Sequence, residues 1–529
     1  MTEKPSKGRI SIAAVLGLLL ILVLAVINFR LGASPALRLL RRQTGFRQMT
    51  EEIASAYTSD AFKPKDSCLT LNGLFARVTG RRVYNDVTLM NNGMLTHGSA
   101  SRQDMTEDAE KIISLASFAR DRVGTPFLLV APPYKVPLEG GDDLLPAGKH
   151  NYRNENYLEL LQRMSDAGFA TLNLKQYLSA NLALVEKYMY RTDHHWNNDG
   201  AIEAFGYIMN SLENIMGTKL DKTYTDLSLW ERHELKDFWI GSHGKRVGPL
   251  FAGTDSCIWY TPKFETSLSY AYNRKEKQFG FKKGDYSIYV FDQKFTRGDW
   301  YNVNCSQVYM DKLFPLVIHR NLNAPNKKKI MMIGDSYCRG MQTFLATEFS
   351  EVHMIDTRYV SGFTTAQYVA WTKPDALILL TSSLHDGFII DFGADEEAAW
   401  LDAHPGRTVL LGDQKFILQP DDSKTNAVEL PVSLQPGQTY HLSFTGVQTA
   451  GEPADCVTAA LYEKNKKKTL WTAMFDIEYC NETGAYTCGF NVPDDNPEGD
   501  YVILLCPGIW KKTPETEAVF SGVTLEQEV

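Results

Sequence analysis

Short apolar runs recur through the middle of this chain, separated by amphipathic stretches. Phe127-Leu128-Leu129-Val130-Ala131 sits between Pro126 and Pro132. Phe169-Ala170-Thr171-Leu172-Asn173-Leu174, Lys329-Ile330-Met331-Met332-Ile333, Val352-His353-Met354-Ile355 and Asp375-Ala376-Leu377-Ile378-Leu379-Leu380 follow. A strand that is apolar along its whole length, rather than at every second residue, has to be covered on both faces. A parallel sheet between two layers of helices meets that condition. The intervening stretches 106–122, 153–167, 199–214, 339–349 and 364–371 read as helices, with Thr106 placed to cap the first. The alternation predicts a three-layer α/β/α domain.

Other textures flank and interrupt it. Residues 220–325 are rich in aromatics, Gly-Asp and Asn pairs, and alternating stretches such as Tyr286-Ser287-Ile288-Tyr289-Val290-Phe291. They predict a β-hairpin-rich insertion within a domain spanning 66–395. Asn72-Gly73 and Asn91-Asn92-Gly93 read as turns between short β segments. Beyond residue 400 no helical period stands out. Thr439-Tyr440-His441-Leu442-Ser443-Phe444 and Tyr501-Val502-Ile503-Leu504-Leu505 read as strands, and 405–529 as a separate β-sandwich.

The N-terminal run 10–28 is apolar and carries no charge. At 1.5 Å per residue it reaches about 28 Å, the thickness of a bilayer core. Lys4, Lys7 and Arg9 precede it; Arg30, Arg38, Arg41 and Arg42 follow. The near balance leaves orientation to the short basic tail at 1–9, which favours the cytoplasm and places the rest of the chain outside. The expectation is a single-pass protein of the cell membrane, with an extracytoplasmic domain and a membrane-proximal helix within 29–65. Gly32-Ala33-Ser34-Pro35-Ala36 offers the alternative of a cleavage region.

Composition narrows the chemistry. The chain has 529 residues and a net charge of −8. It has no long basic block outside the N-terminal region, which argues against nucleic-acid binding. Cys456, Cys480, Cys488 and Cys506 cluster near the C-terminus. They fit either bridges in an oxidising compartment or small buried apolar residues. No CxxC, HExxH or metal-finger spacing occurs, so no motif calls for a metal or other cofactor.

Two short runs carry candidate chemistry. Thr192-Asp193-His194-His195-Trp196-Asn197 places an acid, two imidazoles and an indole side by side. Gly334-Asp335-Ser336-Tyr337 puts a hydroxyl where an apolar strand gives way to a helix. That position lies at the carboxyl edge of the sheet, where open α/β folds bind ligands. The helix N-terminus there favours a developing oxyanion. A serine nucleophile needs a base, and the base needs an orienting acid. If 192–196 is extended, Asp193 and His195 share a face and His194 points the other way. Trp196 then either floors a sugar site or fills the core. Asp193, His194 and His195 together also permit a metal reading, which lacks companion ligands at known spacing.

Asp193-x-His195-Trp196 followed by Gly334-Asp335-Ser336 resembles the SGNH hydrolase-like extracytoplasmic O-acetyltransferases, the alginate O-acetyltransferases AlgJ and AlgX and the DHHW-motif proteins among them. Tyr190-Arg191-Thr192, Gly200-Ala201, Pro132-Pro133-Tyr134-Lys135, Gly241-Ser242-His243-Gly244-Lys245-Arg246 and Asp356-Thr357-Arg358-Tyr359 also look like family segments. The resemblance implies a flavodoxin-like SGNH fold in which the Asp/His pair precedes the serine. It implies Ser336 as nucleophile, His195 as base and Asp193 as orienter, with an acyl-enzyme resolved by a sugar hydroxyl or by water. Lys135, His194, Trp196, Arg358 and Tyr359 become candidate substrate contacts. No Gly-x-Asn block supplies the usual oxyanion asparagine, which leaves the Ser336 backbone and the Gly334 region. The function implied is transfer or removal of an acetyl group on a cell-surface or exported polysaccharide, with a membrane-bound O-acyltransferase as acyl donor. The C-terminal domain loosely resembles carbohydrate-binding modules, with Trp471, Tyr479 and Trp510 as stacking candidates. The competing expectation is a catalytically silent polysaccharide-binding or assembly protein.

Overall fold

The computed structural model describes Leu19, Val26 and residues 65–98, 100–274, 278–290, 298–310, 314–382, 390–495 and 499–529. The predicted anchor at 10–28, apart from Leu19 and Val26, and the predicted membrane-proximal helix lie outside the described residues. Among the described residues no helix is long and apolar enough to cross a membrane.

The chain divides into two compact units. The smaller holds helices Lys65–Val78 and Pro249–Ala252. Asn72-Gly73, expected as a turn, lies inside the first of these helices. A Cβ on Gly73 would stand 2.0 Å from the Val247 carbonyl oxygen. That glycine therefore serves a close backbone approach rather than a turn.

The larger unit, Arg82–Lys245 with Gly253–Val529, is built on an eight-stranded sheet. Its elements in chain order are α1 (Thr106–Phe118), β1 (Phe127–Ala131), α2 (Arg153–Asp166), β2 (Ala170–Asn173) and α3 (Asn198–Met216). After these come β3 (Leu268–Arg274), β4 (Gln278–Gly284), β5 (Leu316–Asn321), β6 (Asn326–Gly334), α4 (Cys338–Glu348), β7 (Phe349–Ile355), α5 (Thr365–Thr372) and β8 (Ala376–Leu380). Across the sheet the strands run β2-β1-β8-β6-β7-β5-β3-β4. The first five are mutually parallel, with Met332 opposite Ile378 and Ile378 opposite Leu128. The other three continue the sheet antiparallel.

Both faces of the parallel strands are covered, as their apolar runs require. Leu129, Met331, Ile333, Leu377 and Leu379 pack with α1, α2 and α5. Leu128, Val130, Ile330, Met332, Ile378 and Leu380 pack with α3 and α4. Each fully buried Leu or Ile here contributes about 1.5–3 kcal/mol.

The parallel strands have an informative order. Starting at β6, the strand that leads to Ser336, and continuing through β7, β8, β1 and β2, they lie 2-1-3-4-5 across the sheet. That is the flavodoxin-like order. The chain enters this arrangement partway through, at β1. The Asp/His pair therefore comes before the serine.

Residues 220–325 contain a hairpin of Trp230–Trp239 with Asp255–Pro262, and another of β3 with β4 that joins the main sheet. The stretch 286–291 is not a strand where described. Tyr286–Ile288 is a single 3-10 turn capped by Asp285, with Tyr286 and Tyr289 buried in the core beside α3 and α4. Its aromatic spacing serves packing, not pleating.

Beyond residue 405, two antiparallel sheets of five and four strands enclose one core, including Tyr440, Leu442, Phe475, Phe490, Leu505 and Phe520. One short helix, Ile477–Thr483, capped by Asp476, interrupts them. All eight cysteines are free; Cys456, Cys480 and Cys506 are buried and Cys488 half-buried. Of the two readings, the buried apolar one describes them. Tyr479 and Trp510 are buried, and Trp471 lies stacked on Phe490. Tyr479 thus belongs to the sandwich core with Trp471 packed against it, whereas Trp510 is buried in a separate cluster with Ala460, Val502, Leu504 and Cys506.

Candidate active site

Ser336 stands in the turn between β6 and α4. Gly334 lets that turn close. A Cβ there would lie 2.0 Å from Cys338 Sγ and 2.4 Å from the Leu380 carbonyl oxygen. Gly334, expected in the oxyanion region, thus allows the helix start to sit against β8. Asp335 is buried and structural. Its Oδ1 accepts from the Tyr337 N–H at 2.9 Å, and its Oδ2 accepts from the N–H and hydroxyl of Ser382, each at 2.8 Å. It ties the carboxyl ends of β6 and β8 together and leaves the Ser336 hydroxyl for other work.

That hydroxyl meets His195. Nε2 of His195 lies 2.6 Å from Ser336 Oγ, and its Nδ1 lies 2.5 Å from Asp193 Oδ1. The other Asp193 oxygen accepts from the Ser242 N–H at 2.7 Å. His195 and Asp193 are buried. Burial works to raise the Asp193 carboxyl. The adjoining imidazoles and the bonds from His195 and Ser242 outweigh it and hold the acid well below the usual carboxylate range. A buried acid and imidazole in line with a half-buried hydroxyl provide what a serine nucleophile needs: a base to take its proton and a charge to steady the imidazolium.

The loop carrying the pair is not extended. Residues 192–195 form successive bends between the Met189–Trp196 bridge and α3, which Asn197 caps through the Gly200 N–H. Asp193 and His195 do not meet by strand alternation. Asp193 Oδ1 accepts from both the His195 backbone N–H and its Nδ1, an Asx-turn geometry.

The loop is held by groups far away in sequence. The Asp255 carboxylate accepts from the Arg191 N–H at 2.6 Å, the Thr192 N–H at 2.7 Å and the Thr192 hydroxyl. Burial pushes this acid up despite those donors. Gly241 approaches so closely that its Cβ would lie 2.2 Å from Asp193 Cβ. The Tyr337 hydroxyl donates to the His194 carbonyl at 2.5 Å, and its ring packs on His195 and Trp196. Asp255, Thr192 and Tyr337 were not foreseen as part of the site. Thr192 and Tyr337 carried only the signal of the family-like segments around them, and Asp255 carried none.

The remaining candidates are less central. Trp196 is buried in the core beside α3 and α4. Its ring is a wall, not a sugar floor. Lys135 is buried and donates to the carbonyls of Leu95 and Arg191, so it braces the same loop instead of meeting substrate. Burial pushes its amine down to about 7, against the pull of Asp255 and Asp193. Arg358 grips Asp356 with two bonds of 2.9 and 2.8 Å and leans over the half-exposed Tyr359 ring. His194 shares its Nδ1 with the Ser242 hydroxyl at 2.8 Å, and its ring lies 3.8 Å from that of His195. Donor atoms of Asp193, His194 and His195 also fall within 4.8 Å of one another. Both His195 nitrogens and both Asp193 oxygens are already engaged, His195 Nδ1 with Asp193 Oδ1, His195 Nε2 with Ser336 and Asp193 Oδ2 with Ser242.

An α/β/α sheet in permuted flavodoxin-like order, with Ser-His-Asp at its carboxyl edge, defines an SGNH-like domain. Residues 92–232 match the family described as "SGNH hydrolase-like domain, acetyltransferase AlgX". The matched segment carries Asp193 and His195. Among solved structures the chain is similar to PatB1 of Bacillus cereus, at 20% identity and a TM-score of 0.48 over 57% of this chain and 98% of that one. A DHHW family protein from Eubacterium siraeum matches at 16% identity and 0.42, over 59% and 96%. AlgX of Pseudomonas aeruginosa matches at 13% and 0.33, over 85% and 96%. No curated protein matches the sequence. The resemblance to SGNH hydrolase-like O-acetyltransferases read from the two motifs is supported.

Proposed function

We propose that this chain moves or removes an O-acyl group, most simply acetyl, on a cell-surface or exported polysaccharide through an acyl-Ser336 intermediate. The observation that carries the reading is the line Ser336 Oγ, His195 Nε2 and Nδ1, Asp193 Oδ1, with separations of 2.6 and 2.5 Å. His195 Nε2 takes the Ser336 proton as the oxygen adds to the acyl carbonyl. It returns that proton to the departing oxygen. A glycan hydroxyl or water then repeats the sequence in reverse. Asp193, held anionic by its donors, steadies the imidazolium. The apolar run at 10–28 is the proposed anchor that keeps the domain outside the membrane, where a membrane-bound O-acyltransferase would load the serine.

The test is turnover of a chromogenic acetyl ester, with and without an acceptor oligosaccharide. The wild-type chain is expected to release chromophore and Ser336→Ala to lose it by about 10⁴-fold or more. Equal rates in the two would sink the proposal. Acetylated oligosaccharide in the product mixture identifies a transferase, and acetate alone an esterase.

A further inference from the structure

Arg339 begins the second half-turn after Ser336, and its backbone N–H bonds to the Ser336 carbonyl at 3.4 Å. It is 7% exposed, yet its buried Nε meets no hydrogen-bond acceptor. Among the described residues none accepts from its guanidinium. The carboxylates that act on it electrostatically are Asp193, Asp335 and Asp356, and Arg358 acts against them as a like charge. Each of those acids is engaged elsewhere: Asp193 by His195 and Ser242, Asp335 by Tyr337 and Ser382, Asp356 by Arg358. A buried guanidinium with five donors and an unanswered Nε is costly unless something accepts from it. Two of those acids belong to the site: Asp193 is the acid of the triad and Asp335 adjoins Ser336. Arg339 also stands at the N-terminus of α4, an eleven-residue helix whose dipole favours negative charge at the same spot.

We infer that Arg339 donates to the oxyanion formed when Ser336 attacks the acyl carbonyl, in the place an asparagine side chain would otherwise occupy. The inference rests on the acyl-serine reading above. As the Ser336 Oγ–carbon bond forms, the hydroxyl proton passes to His195 Nε2 and the carbonyl π pair moves onto oxygen. That oxygen is the missing acceptor for Arg339, beside the Ser336 N–H. When the intermediate collapses, the pair returns to re-form the carbonyl. The bond to the leaving oxygen breaks, and that oxygen takes the proton from His195. The guanidinium itself neither gains nor loses a proton. It binds charge present only between ground states, so it acts on rate rather than affinity.

The experiment is steady-state and burst-phase turnover of a neutral chromogenic acetyl ester by the full chain. Arg339→Gln is expected to lose about 10²–10³-fold in kcat with KM within about threefold of wild type. Arg339→Lys keeps the charge but not the fork, and is expected to recover at least tenfold over Gln. Added guanidinium ion is expected to raise the rate of Arg339→Ala and leave wild type unchanged, which a merely structural role would not produce. Should the Gln variant fail to fold by near-ultraviolet circular dichroism, the Lys variant and the guanidinium rescue carry the test. A Gln variant within threefold of wild-type kcat, or one altered in KM alone, overturns the inference. With Ser336→Ala inactive, such a result leaves the acyl-serine reading standing. Activity in Ser336→Ala would instead remove that reading first.

Discussion

The two arms of the site are held in opposite ways. The Ser336 arm is secured from within: Gly334, Asp335, Tyr337 and Cys338 adjoin it, and Ser382 sits at the end of the neighbouring strand. The His195 arm is secured from a distance. Asp255, Ser242 and Lys135, 49 to 63 residues away, fix a loop with no regular structure of its own. A strand-to-helix turn carries its geometry in a few adjacent residues. A loop of bends has to be told its shape by other parts of the fold.

Three substitutions probe that contrast, in descending order of effect. Asp193→Asn keeps the shape of the His195 arm but removes its charge, and an amide can present the wrong group to His195 Nδ1. A fall of about 10⁴-fold in kcat is expected with unchanged circular dichroism, as in other serine triads; retention of a tenth of the wild-type rate would exclude Asp193 as orienter. Asp255→Asn attacks the remote strap. Its amide places an N–H where the Arg191 and Thr192 donors need an oxygen, so the chain should lose about 1–3 kcal/mol in urea unfolding. The displaced loop should also cost kcat roughly 10–100-fold. Wild-type stability together with wild-type rate would show that the loop does not depend on the strap.

Lys135→Met is the mildest and is read through pH. Its folded-state value of about 7 lies below the ordinary lysine value near 10.4. Between the two the unfolded chain binds a proton that the folded chain does not. Lys135 therefore makes stability fall as pH drops from about 10 towards 7, and it adds no slope below that. Urea midpoints at pH 7.5 and 9.5 should differ less in Lys135→Met than in wild type. An identical difference in both would remove Lys135 as the source.

The same contrast explains how much could be read from the amino acids. The strands Phe127–Ala131 and Ala376–Leu380 were legible because burial on both faces writes itself as an unbroken apolar run. Ser336, His195 and Asp193 were legible as residue types in a pattern. The strap was not. Asp255 follows Thr254 in an ordinary polar stretch, and nothing local marks it as the acceptor for Thr192. The antiparallel edge formed by β3, β4 and β5 looked like part of an insertion, since half-buried hairpins resemble one another wherever they dock. Gly73 looked like a turn because glycine used for close approach and glycine used for bending are the same letter.

The strand order also has a consequence for how the molecule is made. β8 pairs with β1 on one side and β6 on the other, so it is the bridge between the two halves of the parallel sheet. It is also the last of those strands to leave the ribosome. Until it arrives, the piece bearing His195 and the piece bearing Ser336 have no shared sheet to align them. Closing so large a loop between sequence-distant strands is slow. An emerging chain thus cannot bring Ser336 to His195 until its final central strand slots in, a built-in delay between translation and assembly of the site.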